Sequence, residues 1–261
     1  MASLWQKYTY YARSILTLFQ KIDNPRHTLN LFLNRQPLPT TITLHNGWQF
    51  HIRSPMDAWV IKETCLDQDY LWQIDRFEPD WHIIDIGAGL GDFTIFAAKN
   101  APQGIVHAYE PLAPSYQLLK KNLELNQINN VTTFPYATAS QPGQLSLATT
   151  DGAAVSQQFT AANSGQQTAT AVTLTQILAQ LPNQHCHFLK LDCEGCEYDI
   201  LLNATTTLQQ IDRISLEFHN HTTPHTGQEL VNHLQQHNFT VYTKENPVHD
   251  YLGFLFAIRQ P

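Results

Sequence analysis

Asp85-Ile86-Gly87-Ala88-Gly89-Leu90-Gly91 is the stretch of sequence that decides the fold. It follows the apolar run His82–Ile86 and precedes a helical segment, Asp92–Asn100. Where a parallel strand turns sharply into a helix beside a ligand, a Cβ atom would obstruct both the turn and the ligand, and glycine lacks that atom. The stretch therefore predicts a strand–turn–helix unit that holds a cofactor against its backbone.

The rest of the chain alternates in the same way between short apolar runs and helical segments, which predicts a parallel sheet with helices on both faces. The last two apolar runs are separated by a polar turn and are able to pair antiparallel. We predict strands at His82–Ile86, Ile105–Tyr109, Val131–Tyr136, His187–Asp192, Arg213–Phe218, Phe239–Tyr242 and Gly253–Ile258. We predict helices at Asp92–Asn100, Pro114–Asn126, Leu174–Leu181, Glu197–Ala204 and Gly227–His237.

Two segments fall outside this alternation. Residues 1–58 have a helical and then an extended pattern, which predicts a small cap on one α/β domain of residues 59–261. Residues 139–171 are rich in Ser, Thr, Gln, Gly and Ala, with Asp151 as their only charge. They predict an irregular excursion with room for a small hairpin, either mobile or part of a substrate wall.

Composition argues against several classes of function. The chain has 15 Lys and Arg against 22 Asp and Glu, a formal charge of -7, so no broad basic surface is available to bind nucleic acid. Gln6, Lys7, Arg13 and Ser14 interrupt the apolar positions near the N-terminus, which argues against a signal peptide and against a transmembrane segment. We expect a cytoplasmic protein whose first helix packs on the main domain, with a membrane-surface helix as the less favoured alternative.

Two carboxylates narrow the ligand of the glycine-rich turn. The helix that starts near Gly91 offers unpaired N–H groups to a carboxylate or a phosphate. Asp85 would repel a pyrophosphate, but it can pair directly or through water with the α-ammonium group of a methionine moiety. Glu110 ends the next strand, at a separation from Gly87 typical of a residue that binds ribose hydroxyls. These features favour a sulfonium donor over a dinucleotide.

A second group of polar residues follows the fourth and fifth parallel strands. Asp192 and Glu194 lie beyond the fourth strand, and Glu217 and His219 end the fifth. Because ligands in open α/β sheets bind at the carboxyl ends of the strands, we expect these side chains to converge. Asp192 and Glu194 have a structural alternative, as caps of the helix that begins near Glu197. A divalent metal on this cluster is a further alternative, but no spacing signature supports it and we predict no metal ligands.

The cysteines include one CxxC sequence, Cys193-Glu194-Gly195-Cys196, which alone would suggest a redox pair or half of a zinc site. No second pair accompanies it in the sequence, and we predict a structural or incidental role. Without a secretory signal, we expect reduced thiols at these two positions and at Cys65 and Cys186.

Together these motifs resemble the FkbM family of methyltransferases. The resemblance extends from Trp59 to Ile258, and its most specific part is Lys190-x-Asp-x-Glu-Gly-x-Glu197. It implies a Rossmann-like fold, S-adenosylmethionine as the cofactor, and O-methylation of a hydroxyl on a sugar, glycan or natural product. The other matching segments are Ile83–Gly91, Tyr109–Pro111, Lys121–Asn126 and Ser215–His219.

We predict two sets of site residues from this reading. As the acceptor oxygen attacks the methyl carbon, a group within hydrogen-bond reach must take its proton, and His219 or Asp192 is the expected base. Glu194 and Glu217 are expected to orient the acceptor hydroxyls. The predicted cofactor-binding residues are Asp85, Gly87, Ala88, Gly89, Gly91, Glu110, Pro111 and Asp192.

Two other functions fit parts of the sequence: a nicotinamide-dependent oxidoreductase and a catalytically inactive binding module. The intact Asp85, three glycines and Glu110 argue against the inactive module. We expect a small-molecule or glycan acceptor, whose identity has no readable motif, and the oligomeric state stays open.

Overall fold

Strands and helices alternate along the chain in the computed structural model, which describes residues 4–33, 35, 37–149, 157–160, 167–220, 223–246, 248–249 and 251–260. The strands are β1 (Thr40–Thr43), β2 (Gln49–Ile52), β3 (His82–Ile86), β4 (Ile105–Tyr109), β5 (Val131–Phe134), β6 (Ala137–Thr138), β7 (Gly143–Thr149), β8 (Gln157–Thr160), β9 (Gln167–Val172), β10 (Phe188–Leu191), β11 (Arg213–His219), β12 (Phe239–Glu245) and β13 (Leu252–Arg259). The helices are α1 (Leu4–Lys21), α2 (Pro25–Phe32), α3 (Pro55–Ile61), α4 (Asp92–Asn100), α5 (Ala113–Leu125), α6 (Leu174–Leu178), α7 (Cys196–Asn203) and α8 (Gly227–Gln236).

The main sheet has seven strands in the order β12-β13-β11-β10-β3-β4-β5. The five strands from β11 to β5 are parallel, whereas β13 runs antiparallel to both of its neighbours. The predicted Rossmann-like sheet with an antiparallel C-terminal pair is therefore confirmed. The chain leaves β3 towards β4 on one side and returns to β10 on the other. The carboxyl ends of β3 and β10 thus form the switch point at which such sheets bind ligands.

The central strands are apolar on both faces because successive residues point to opposite sides of the sheet. In β3, Ile83 packs in one core cluster, which includes Phe93 of α4 and Phe188 of β10. The next residue, Ile84, packs in the other cluster with Leu189 of β10. Helices cover both faces, so the functional groups gather at the edge where the strands end.

The N-terminal segment contains α1, α2 and the antiparallel hairpin of β1 and β2. The hairpin is joined to α5, because Asn122 accepts a hydrogen bond from His51 N–H at 2.7 Å and Asn126 accepts one from Gln49 N–H at 3.0 Å. The boundary predicted at residue 58 falls inside α3, which continues into the π-helical turn Lys62–Asp67. The segment and the main domain are therefore continuous at this point.

Residues 139–171, predicted as an irregular excursion with room for a small hairpin, are more regular than expected where the structure describes them, and β7 and β8 pair antiparallel. Strands β7, β8 and β9 form a second sheet with β6, in the order β6-β9-β7-β8. In β9, Ala169 and Ala171 are buried whereas Thr168 and Thr170 are exposed. This is the alternation of a strand with one buried face, but its inward residues are small, so composition suggested a loop. Residues 150–156 and 161–166 lie outside the described residues.

Candidate active site

The glycine-rich turn connects β3 to α4, and its glycines have different roles. Gly87 has φ of 77°, and a Cβ atom at this position would lie 1.8 Å from the backbone oxygen of Asp192. Gly89 has φ of 54°, and a Cβ atom there would meet nothing within 4 Å. Gly91 is the N-cap residue of α4. Gly87 is therefore required by the packing of two loops, whereas Gly89 leaves its backbone open to a ligand.

The turn is held against the end of β4. The N–H groups of Gly87 and Ala88 both donate to the carbonyl oxygen of Tyr109 at 3.0 Å. The Glu110 carboxylate accepts one bond from Gly89 N–H and one from Leu112 N–H, each at 2.8 Å. Glu110 is 1% exposed, and burial raises its pKa to about 7. Glu110 thus links the turn to the loop after β4, and its predicted contact with ribose stays a prediction.

A narrow cleft opens beside the turn at the end of β4. Pro111 is half-buried at its edge, and the Tyr109 ring stacks on Phe134 with centroids 4.6 Å apart. The cleft has aromatic and apolar walls together with backbone groups of the turn, a combination typical of small-molecule sites. Its lining residues are Ile86, Gly87, Tyr109, Pro111, Tyr136, Ala137, Thr138 and Cys193.

Asp85 is fully buried, and its carboxylate contacts groups of the protein itself. It lies 3.1 Å from Nζ of Lys190 and accepts a bond from the Thr94 hydroxyl at 2.6 Å. Lys190 also donates to the carbonyl oxygen of Gly87 at 2.9 Å. Burial alone would lower the pKa of Lys190, but the neighbouring aspartates raise it above its usual value. Asp85 therefore stabilises the glycine-rich turn through Lys190, and its predicted pairing with a ligand ammonium group, directly or through water, stays a prediction.

Lys190 is a site residue whose role the sequence reasoning missed. It occupies the middle of β10, between Leu189 and Leu191, both of which are fully buried. A charged residue inside an otherwise apolar central strand needs a buried partner of opposite charge. That requirement was readable from the sequence, and the register of β10 with β3 places Lys190 beside Asp85.

The four polar residues that follow β10 or end β11 lie together. Nε2 of His219 is 3.4 Å from a carboxylate oxygen of Glu194. Asp192 accepts a hydrogen bond from the Tyr70 hydroxyl at 2.7 Å. Glu217 accepts a bond from the amide of Asn246 at 3.2 Å, and burial and the charge of Asp192 raise the pKa of Glu217. These contacts form a compact acidic cluster on the β10 side of the glycine-rich turn.

Glu197, a second residue that the sequence reasoning missed, organises the loop after β10. It is fully buried, and it accepts bonds from Cys193 N–H at 2.9 Å and Gly195 N–H at 2.8 Å. Its Oε1 lies 3.3 Å from Nδ1 of His219. The N-cap of α7 is Gly195, which has no side chain to cap with. The structural alternative for Asp192 and Glu194, capping this helix, is therefore not what their carboxylates do.

The protonation states of this cluster follow from its burial and its charges. Burial opposes the protonation of His219, but its hydrogen bond with Glu197 and the charges of Glu197, Glu194 and Asp192 raise its pKa to about 10. Burial raises the pKa of Glu194 to about 7 and, with the charge of Asp192, that of Glu217 to about 8. At neutral pH the site thus combines a cationic imidazole with carboxyl groups that titrate near neutrality.

The CxxC sequence forms a disulfide, so the expectation of reduced thiols at Cys193 and Cys196 is wrong in this structure. Glu194 and Gly195 both have positive φ, of 57° and 113°. This local turn brings the two Cα atoms to 5.5 Å, within the range that a disulfide spans. Cys65 and Cys186 are free and buried, as expected of structural thiols.

The π-helical turn after α3 lies on the outer side of the acidic cluster. Its Glu63 accepts bonds from the Tyr10 hydroxyl at 2.5 Å and from Nε1 of Trp59 at 2.8 Å. The negative charge of Glu63 contributes to the raised pKa of Glu217. Helix α1 is therefore joined through Glu63 to the turn whose charge acts on the cluster. π-Helical turns are frequent at functional sites.

The comparison with known families decides the identity of this site. Residues 85–241 match the family model described as the methyltransferase FkbM domain. The chain belongs to the FkbM methyltransferase family. The matched region runs from Asp85 through the acidic cluster to β12, so both halves of the site lie within it. The matched family is one of methyltransferases, which favours methyl transfer over the oxidoreductase alternative.

Individual relatives agree with this family. The chain is 25% identical over 164 residues to "Methyltransferase 1" of Beauveria bassiana, a match that covers 55% of this chain and 65% of that relative, less than two thirds of its length. It is 22% identical over 207 residues to the hexuronic acid methyltransferase AglP of Haloferax volcanii, covering 78% of this chain and 84% of AglP. The solved magnesium protoporphyrin IX methyltransferase of Synechocystis PCC 6803 aligns with a TM-score of 0.50 at 15% identity, over 79% of this chain and 83% of that one. That likeness shows the fold.

Proposed function

We propose that this FkbM methyltransferase transfers a methyl group from S-adenosylmethionine to a hydroxyl group of a sugar, glycan or natural product. One observation carries the proposal: the open backbone at Gly89 and the acidic cluster around Asp192 lie on either side of the same switch point. One half suits the methyl donor, and the other half offers carboxylates that bind and deprotonate hydroxyl groups.

The donor half is formed by the glycine-rich turn, Glu110 and the cleft beside it. Glu110 has one backbone donor on each oxygen, and a carboxylate oxygen can accept a further bond from a ribose hydroxyl. Tyr136 and Pro111 line the cleft at the position expected for a flat heterocycle. When bound, S-adenosylmethionine supplies an electrophilic methyl group. Because the Asp85 carboxylate is occupied by Lys190 and Thr94, we propose that it shapes the turn rather than binding the donor.

The acceptor half supplies the base, and we propose Asp192 for this role in place of His219. An imidazole with a pKa of about 10 is protonated on both ring nitrogens at neutral pH, so it has no lone pair with which to accept the hydroxyl proton. Asp192 is half-buried at the end of β10, and its carboxylate accepts a hydrogen bond from the Tyr70 hydroxyl. As the acceptor oxygen bonds to the methyl carbon and the carbon–sulfur bond breaks, the hydroxyl proton passes to the Asp192 carboxylate. His219 fixes Glu194 and offsets the negative charge of the cluster.

The donor set at the cluster argues for transfer without a bound metal ion. Asp192, Glu197 and His219 bring ligand atoms within 4.8 Å of one another. Glu197 and His219 already pair with each other, however, since Oε1 of Glu197 lies 3.3 Å from Nδ1 of His219. We therefore propose that the carboxylates orient acceptor hydroxyls directly.

The acceptor class is inferred from the chemistry of the cluster and from the relatives. Three carboxyl groups beside one imidazolium suit a ligand with several hydroxyl groups, because carboxyl oxygens accept hydrogen bonds from hydroxyls. The name of AglP describes methyl transfer to a hexuronic acid, which is such a ligand. A polyhydroxylated acceptor is therefore the first class to test.

Two measurements test this function. S-adenosylhomocysteine should raise the melting temperature of the chain, whereas NAD should leave it unchanged. Radiolabelled S-adenosylmethionine should then label at least one member of a panel of uronic acids, glycosides and hydroxylated macrolides, with or without a metal chelator. Stabilisation by NAD alone would contradict S-adenosylmethionine as the methyl donor. Loss of methyl transfer when the chelator is added would contradict the metal-free mechanism.

A further inference from the structure

Helix α1 presents an apolar face to the outside. Trp5 is 82% exposed and Tyr8 is 68% exposed, and Ile15 and Leu16 are also exposed. Residues spaced three or four apart lie on the same side of a helix, so Trp5, Tyr8 and Ile15 form one stripe along α1. Large apolar side chains gathered in one exposed patch mark interaction surfaces.

The opposite face of α1 makes the contacts that hold the helix in place. Ser14 and Leu18 are buried. Tyr10 donates its hydroxyl to Glu63, and its ring packs edge-to-face on Trp59 with centroids 5.9 Å apart. The orientation of α1 is therefore fixed from inside, and the outward stripe is free to contact something else.

Helix α2 continues the apolar surface. Leu29, Phe32 and Leu33 are exposed at its end. The Trp59 ring contacts Tyr11 of α1 at 5.7 Å and Phe32 of α2 at 6.5 Å, so the outer sides of the two helices meet around it. We name as the N-terminal apolar face the side chains of Trp5, Tyr8, Ile15, Leu16, Leu29, Phe32 and Leu33.

The first 35 residues carry a net charge opposite to that of the whole chain. The chain carries a formal charge of -7, yet its first 35 residues contain five Lys and Arg and one Asp. Arg13, Lys21, Arg26 and Arg35 are exposed. An acidic protein that concentrates its cations beside its largest exposed aromatic residues is complementary to an anionic partner. A second copy of the chain would bring two cationic faces together, which disfavours self-association.

We propose that the N-terminal apolar face docks on an anionic phospholipid membrane, with α1 and α2 lying in the plane of its interface. Exposed Trp and Tyr side chains suit the boundary between headgroups and acyl chains, and flanking Arg and Lys bind anionic headgroups. Among the described residues, no helix is long and apolar enough to cross a bilayer. The contact is therefore peripheral and reversible.

Vesicle sedimentation tests this surface. The full 261-residue chain is spun with phosphatidylcholine vesicles and with vesicles that also contain phosphatidylglycerol. We expect at least roughly tenfold stronger partition onto the anionic vesicles, reduced by added salt because screening weakens the attraction. Equal partition onto both kinds of vesicle, or none onto either, would overturn the proposal.

Two pairs of substitutions separate this face from general surface hydrophobicity. Trp5→Ser with Ile15→Gln should abolish sedimentation, while Leu125→Gln with Tyr242→Ser, which also alters two exposed apolar residues, should not. Circular dichroism and the melting temperature check that both variants are folded. Equal losses in the two variants would sink the proposal. Light scattering tests for a dimer that forms as the protein concentration rises. If the wild type forms such a dimer and only the first variant loses it, the proposal is wrong, because a second copy of the chain then occupies the face.

Discussion

Oε1 of Glu197 lies 3.3 Å from Nδ1 of His219, while the same carboxylate accepts hydrogen bonds from Cys193 and Gly195. Glu194 lies 3.4 Å from the other ring nitrogen, Nε2. An imidazole with an anionic partner at each nitrogen is stabilised in its protonated form. In the proposed mechanism His219 is therefore a fixed cation between two loops, and Asp192 accepts the proton.

The first prediction is that His219 stays protonated through neutral pH. Nuclear magnetic resonance of the labelled ring should give a midpoint of about 10, because Glu197 and Glu194 favour the charged ring. Glu197→Gln should lower the midpoint. A wild-type midpoint close to the unperturbed value of about 6.5 would restore His219 as the base.

The second prediction concerns the pH dependence of stability. His219 has a pKa of about 10 in the folded chain and about 6.5 when unfolded. Because the folded state binds the proton more tightly, this contribution is complete below pH ~6.5 and is lost as the pH rises through ~10. Urea unfolding should show the free-energy gap between wild type and His219→Gln narrowing across that window, by about 5 kcal/mol at most. A constant gap would contradict the shift.

The third prediction separates two glycines of one turn. Gly87→Ala forces a Cβ atom to 1.8 Å from the Asp192 carbonyl oxygen, so it should cost several kcal/mol of unfolding free energy. Gly89→Ala has open space and should cost only about 1–2 kcal/mol, for a left-handed backbone. It should nonetheless weaken S-adenosylhomocysteine binding at least roughly tenfold, because its methyl group lies where a ligand would approach the backbone. Calorimetry measures the affinity for S-adenosylhomocysteine, and urea unfolding measures the stability. Unchanged affinity in Gly89→Ala would show that the methyl donor does not bind against this turn.

The sequence predicted the sheet because its signals were strong and local. The strands are continuous apolar runs bounded by turns. The glycines of the turn adopt backbone conformations that few other residues can adopt. The residues Asp192, Glu194, Glu217 and His219 could be expected together because each stands at the end of a parallel strand. The hydrogen-bond partners of these residues could not be predicted. The contacts of Tyr70 with Asp192 and of Asn246 with Glu217 depend on packing between segments that are far apart in the chain.

Other features were missed because composition outweighed pattern. Ala169 and Ala171 alternate with threonines in β9, but alanine is a weak strand signal, so the composition does not predict this strand. The protonation state of His219 could not be predicted from the sequence. Its protonation depends on Glu197, which reaches back from the first turn of α7, a contact that the linear motif does not display.

The fourth prediction tests the buried ion pair behind the turn. Lys190→Met leaves the Asp85 carboxylate buried without its cation, which should cost about 3–5 kcal/mol of unfolding free energy. Adding Asp85→Asn should recover part of that loss, because the Asn oxygen can still accept the Thr94 hydroxyl. Lys121→Met, at an exposed lysine, should change stability by less than about 0.5 kcal/mol. If the double variant is no more stable than Lys190→Met, the lost ion pair between Lys190 and Asp85 does not explain the loss of stability.

The fifth prediction concerns the base. Asp192→Asn keeps the size of the side chain but removes its ability to take a proton, so kcat should fall roughly a hundredfold or more. Affinity for S-adenosylhomocysteine should change little, since the amide can still accept the Tyr70 hydroxyl. The acceptor for this assay is the one found in the labelling panel. A normal kcat in Asp192→Asn would rule out the carboxylate as base.

Glu217→Gln is the matched control for Asp192→Asn, because both variants replace a carboxylate of the same cluster by an amide. The pKa of Glu217 is about 8, raised by burial and by Asp192, so its side chain is neutral at neutral pH and Gln reproduces that form. We expect kcat of the variant to stay close to wild type at neutral pH. The wild-type rate should fall as the pH rises through about 8, because a second charge beside Asp192 disturbs the acceptor hydroxyls, and the variant should not show this fall. If Glu217→Gln were instead as inactive as Asp192→Asn, the proton would pass to Glu217, and the base would have to be reassigned to the end of β11.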